Sequence, residues 1–189
     1  MSADVRPALV RRWLKTADAT AITAHRALQR DLGYGKKVAR VYRSEVFSLE
    51  WEDDQPAAQE RVRALVLDTN LMLNPNKHFM ELVFGAEPLT PRGNAWVLVA
   101  EPDAGGRLLH TINKRHLLPF RLAQVHRGTL WELDLAGDDP QALAGDMAVT
   151  RSRKQGLLGN PHIEGIHVLS SPPTATALAG LMHHNPARA

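Results

Sequence analysis

Between Val46 and Glu52 the chain alternates without a break, Phe47, Leu49 and Trp51 on one side and Ser48, Glu50 and Glu52 on the other. A period of two predicts a strand with one buried face, which sends Ser48, Glu50 and Glu52 to solvent. Trp131, Leu133 and Leu135 repeat the pattern, with Glu132 and Asp134 outward. Helical spacing appears at Ala21, Ile22, His25, Leu28 and Leu32 behind Asp18, a candidate N-cap, and Gly33 and Gly35 predict where that helix ends. Leu108, Leu109, Ile112 and His116 predict a second helix starting near Asp103. Val62, Leu65, Val66, Thr69 and Met72 predict a third over residues 57–73, and residues 142–158 form its weaker counterpart. Pro56 and Pro140 suit the first turns of these last two, and Asn74-Pro75 and Asn160-Pro161 are read as their stops. Short apolar stretches at 7–10, 38–42, 79–84, 95–100 and 165–169 read as further strands, with tight hairpin turns expected at Arg43-Ser44 and Arg127-Gly128.

These elements fall into two copies of one text. Ala39, Val41, Arg43, Leu49, Asp54 and Pro56 recur 84 positions later as Ala123, Val125, Arg127, Leu133, Asp138 and Pro140. Farther on, LMLNPNKHFMELVF at 71–84 returns as LLGNPHIEGIHVL at 157–169. Each copy reads strand, helix, strand, strand, helix, strand, an α+β module of ferredoxin-like order. The expected organisation is a first repeat over 1–84, a Pro/Gly-rich linker over 85–93, a second repeat over 94–169 and a mobile tail over 170–189. A module of this size is marginal alone, so the pair is expected to pack as an intramolecular pseudo-dimer.

The absence of cysteine among 189 residues excludes disulfides, thiolate metal sites and a thiol nucleophile. No secretory h-region and no membrane-length apolar run is read, so a cytoplasmic protein is expected. The net charge of +3 includes a basic stretch from Arg6 to Arg43, read as a solvated helix and loop because Glu50-Trp51-Glu52-Asp53-Asp54 follows it. The nine histidines form no HExxH pattern; His126 and His167 are read as structural, and His183-His184 as at most a loose metal binder. No serine stands in a GxSxG elbow, and no phosphate-binding loop is complete. Asp103-Ala104-Gly105-Gly106-Arg107 can offer helix-start amides to an anion, although a tight turn into a helix accounts for it equally. Asp53-Asp54 and Asp138-Asp139 can serve acid–base chemistry or magnesium, but their place before helix-starting prolines favours capping. The order of elements is shared with RNA-recognition modules, yet Glu50 and Glu52 on the exposed strand face would repel phosphate. No catalytic residue, metal ligand or bound cofactor is expected.

Residues 41–50 with Leu73-Asn74-Pro75, and residues 103–107, 125–135 and 157–164 in the second copy, resemble the small PurS subunit of phosphoribosylformylglycinamidine synthase. The two copies together cover most of residues 5–169. The resemblance implies a subunit without catalytic residues that acts as a dimer. In that family the dimer bridges a synthetase subunit (PurL-like) and a glutaminase subunit (PurQ-like) in de novo purine biosynthesis. ATP, magnesium and glutamine are used by the parent complex, not bound by this chain, and no nucleic acid or membrane partner is implied. Further self-association stays open. Two departures affect partner contacts: the first copy lacks the family's Lys-Pro-Gly-like loop, and LNPNKHFMEL replaces its acidic stretch. The candidate partner-interface residues are Arg43, Arg127, Asn74, Asn160, Asp103 and Arg107. The alternative is a ferredoxin-like regulatory module binding a small anion at Asp103–Arg107 or at Arg43 and Arg127.

Overall fold

The computed structural model describes residues 6–52, 57–152 and 155–183. These build a mixed α+β fold with five α-helices on a single six-stranded antiparallel sheet. The strands are β1 (Arg6–Leu14), β2 (Val38–Trp51), β3 (His78–Phe84), β4 (Ala95–Glu101), β5 (Leu122–Leu135) and β6 (Gly165–Leu169). Their order across the sheet is β3-β1-β2-β5-β4-β6. The helices are α1 (Ala19–Arg26), α2 (Ala57–Asp68), α3 (Gly106–Lys114), α4 (Pro140–Ala148) and α5 (Ala175–His183). No helix among the described residues is long and apolar enough to cross a membrane.

The hairpin turns expected at Arg43-Ser44 and Arg127-Gly128 do not form, so each half reads strand, helix, strand, helix, strand. Strands β2 and β5 each run unbroken for 14 residues. They pair with each other from Val38 opposite Leu135 to Trp51 opposite Leu122. That ladder satisfies backbone groups through the positions where turns were expected, so nothing forces the chain to reverse.

Helices α1 to α4 cover one face of the sheet and build two hydrophobic cores, each with residues from both sequence halves. One core sets α2 (Ala58, Val62, Leu65, Val66) and Ile112 of α3 against Ala8, Val10, Phe47, Leu49 and Trp51. The other sets α1 (Ala21, Ala24) and α4 (Ala144, Met147, Ala148) against Val97, Val99, Trp131 and Leu133. Helix α1 rests on β2, with Val38 in its core, and α3 rests on β5, with Leu122 and Val125 in its core, so each core holds residues from both halves.

The opposite face is also covered, which corrects the expectation that Ser48, Glu50 and Glu132 reach solvent: all three are buried. Leu9, Val46, Leu98 and Leu130 of this face pack against Ala175, Leu178 and Met182 of α5. Within the segment expected to be a mobile tail, residues 175–183 form α5, packed on this face. The 85–93 segment holds that cover in place: Leu89 is buried and its N–H donates to Pro173 O at 2.9 Å. The amide of Thr176 donates to Gly85 O at 2.9 Å.

Asp18 caps α1 as expected, accepting from the amides of Thr20 and Ala21. The helix then widens, Leu32 N–H reaching back to Ala27 O, before Gly33 and Gly35 turn the chain at positive φ. The helices expected to stop at Asn-Pro stop earlier. Helix α2 ends at Asp68, where the hydroxyl of Thr69 donates to Leu65 O at 2.7 Å. Helix α4 ends at Ala148 because the returning chain takes its last carbonyls: Leu157 N–H donates to Met147 O and Gly159 N–H to Ala148 O. Asp139 accepts from Ala142 N–H at 2.9 Å, so capping holds in the second copy. Asp53, Asp54 and Pro56 lie outside the described residues.

Candidate functional site

Strand β1 places Arg11 on the α5-covered face, where its guanidinium is 2 % exposed beside a Glu132 that is 0 % exposed. The Nη1 of Arg11 donates to both oxygens of Glu132 at 2.9 Å. Its Nη2 donates to Glu81 and, at 2.9 Å, to Thr90 O. Glu81 also accepts from the amide and hydroxyl of Thr90, both at 2.8 Å. Glu132 further accepts from the backbone N–H of Arg92 at 3.1 Å, and Arg92 Nε lies 3.5 Å away. One buried cluster thus joins the first half, the linker and the second half. Burial pushes the Glu132 carboxyl up, opposed by the Arg11 and Arg92 charges, and burial likewise lowers the Arg92 guanidinium. Arg92 sits between the rings of Trp13, 5.0 Å away, and Tyr42, 4.6 Å away.

Above this cluster opens a cleft of about 400 Å³ lined by Trp13, Ala21, Tyr42, Arg43 and Arg92 among others. Arg43 reaches Asp18 at 3.6 Å on its rim. A second cleft, of about 380 Å³, lies beside the N-terminus of α3 and is lined by Arg12, Phe47, Leu71, Gly105, Arg107 and Arg127. Arg127 lies 3.4 Å from Glu45 and 3.8 Å from Glu101. Arg12 also reaches Glu45, at 2.6 Å. Guanidinium paired with carboxylate binds and orients rather than transfers protons.

Of the six candidate interface residues, the structure brings together only Arg107 and Arg127 in one cleft; Arg43 belongs to the other. Asp103 turns the chain into α3 at φ 57°. A β-carbon at Gly105 would come within 1.7 Å of Val125 O, so the glycine is required by packing of the helix start on β5. Asn74 and Asn160 shape their own turns. Asn74 Oδ1 accepts from Asn76 N–H, and Asn160 Oδ1 accepts from His162 N–H. Their own amides donate forward, Asn74 to His78 Nδ1 and Asn160 to Glu164 Oε2.

Sequence reasoning missed Arg11, Arg92 and Glu132. A glutamate in an alternating strand looks the same whether its face meets water or a guanidinium, and nothing local in the sequence separates the two cases. Compared with protein-family models and with curated proteins, the chain matches none.

Proposed function

We propose that the chain is a non-catalytic, PurS-like tandem subunit bridging a synthetase and a glutaminase subunit in a phosphoribosylformylglycinamidine synthase. The observation that carries the reading is the register at the centre of the sheet. Glu45 stands opposite Thr129 in the β2–β5 ladder, a separation of 84 residues, equal to the offset between the repeated segments. A two-fold axis through that pair exchanges β2 with β5, β1 with β4 and β3 with β6, which accounts for the strand order. The equivalent seats of α1 on β2 and α3 on β5, and the matching turns at Asn74 and Asn160, support the same axis. On this reading the chain is a covalent pseudo-dimer of two PurS-like repeats, and a two-faced particle suits a bridge between two different partners.

Size-exclusion chromatography with light scattering tests it, using the purified chain with synthetase and glutaminase subunits from the same source. A peak holding all three is expected; elution of the chain alone in the presence of both ends the proposal. A second reading, regulation by a small anionic ligand, is favoured by the cleft where Arg43 and Arg92 stand beside Trp13 and Tyr42. A ligand-specific rise in melting temperature across a panel of nucleotides and amino acids, lost in Arg43→Ala, would favour it instead.

A further inference from the structure

At the opposite end of the α5-covered face from Arg11, the sheet and α5 gather three side chains distant in sequence: Glu50 of β2, His126 of β5 and His183 at the end of α5. Glu50 Oε2 lies 2.9 Å from His183 Nε2. Its Oε1 lies 3.9 Å from His126 Nε2, too far for a hydrogen bond. The two imidazoles meet edge to face with centroids 4.6 Å apart. One potential ligand atom from each residue lies within 4.8 Å of the other two.

The cluster is electrically incomplete as protein alone. Glu50 is only 4 % exposed, and its ion-pair partners among the described residues are these two histidines, neither of which carries a fixed charge. Its Oε1 and the Nε2 of His126 are both shut off from solvent without a hydrogen-bond partner among the described residues. A buried carboxylate oxygen left in that state is costly.

We propose that Glu50, His126 and His183 bind one divalent transition-metal ion, zinc foremost, which ties the end of α5 to the two central strands. Two imidazole nitrogens and one carboxylate form a donor set that zinc and its first-row neighbours favour, whereas magnesium and calcium favour all-oxygen ligands. Three protein ligands leave a fourth position for water or an incoming group. Of the three, sequence pattern marked only His183, with His184, as at most a loose metal binder, because the ligands come from three separate elements in no recognised spacing. The inference is independent of the bridging reading, and either can fail alone.

The test is calorimetric titration of the full chain with zinc chloride, with cobalt(II) as a spectroscopic probe of the same site. One ion per chain is expected, with visible cobalt bands and a metal-dependent rise in melting temperature. Glu50→Gln, His126→Gln and His183→Gln should each weaken binding by more than about tenfold, since even the loss of an outer partner to a ligand costs that much. His110→Gln, an exposed position on α3 across the sheet, should bind as the parent does. His183 is 36 % exposed at a helix end, so its variant keeps the core and carries the test if Glu50→Gln fails to fold. Absence of stoichiometric binding by the parent chain, or unchanged binding in His183→Gln, overturns the proposal.

Discussion

Glu132 illustrates how one side chain can hold three segments of a chain. It is desolvated completely, and Arg11, the Arg92 amide and the Arg92 guanidinium together offset that cost. Removing one member leaves the others charged in a dry site, so Glu132→Gln should destabilise by about 3–5 kcal/mol in urea unfolding. In a double-mutant cycle with Arg11→Met, the double variant should lose less than the sum of the singles; strict additivity would show that the pair is not coupled. A different pair reports on pH. Tyr34 donates to Asp146 at 2.8 Å, joining the turn between α1 and β2 to α4. Burial, and then Asp146, push the Tyr34 phenol up from 10.0 to about 12. A folded pKa above the unfolded one means that this contribution is complete below pH 10.0 and is lost as pH rises toward about 12. Stability measured across that window should fall more steeply in the parent than in Tyr34→Phe, and parallel curves would refute the assignment. Asp146 moves down, through hydrogen bonds from Gln155 and then Tyr34, so its contribution is lost in acid.

At the scale of elements, most of the architecture was legible in the sequence. Asp18 as N-cap, the glycines after α1, and the strands over 79–84, 95–100 and 165–169 follow from local chemistry, and the structure has them. What failed was whatever depended on a distant partner. The long ladder between β2 and β5 replaced two hairpin turns, and the chain returning at Leu157 shortened α4. Helix α5 turned a face that reads as solvent-exposed into an interior. The apolar run Ala175–Met182 signals a short helix, but its destination depends on the 85–93 segment that pins it. Leu178 is fully buried against the sheet, so Leu178→Ala should cost about 2–5 kcal/mol, read as a lowered melting temperature. An unchanged melting point would mean that α5 contributes nothing to the fold.

For the whole molecule, the recurring residues were visible as text, but the register at the centre of the sheet was not. Glu45 and Thr129, 84 residues apart, face each other in the β2–β5 ladder, and no local rule supplies that pairing. The candidate site was less legible than the fold: the arginines at 43, 107 and 127 were singled out, but the ion pairs of Arg43 and Arg127 and the buried Arg11–Glu132 cluster were not. A chain whose halves share one continuous β2–β5 ladder and two mixed cores is suited to acting as one rigid body, as the proposed bridging role requires. That role is tested most directly by turnover of the reconstituted synthase with glutamine and, separately, with free ammonia as the nitrogen source. Adding the chain to synthetase and glutaminase subunits should raise the glutamine-driven rate and leave the ammonia-driven rate unchanged. Equal glutamine-driven rates with and without the chain would contradict the account.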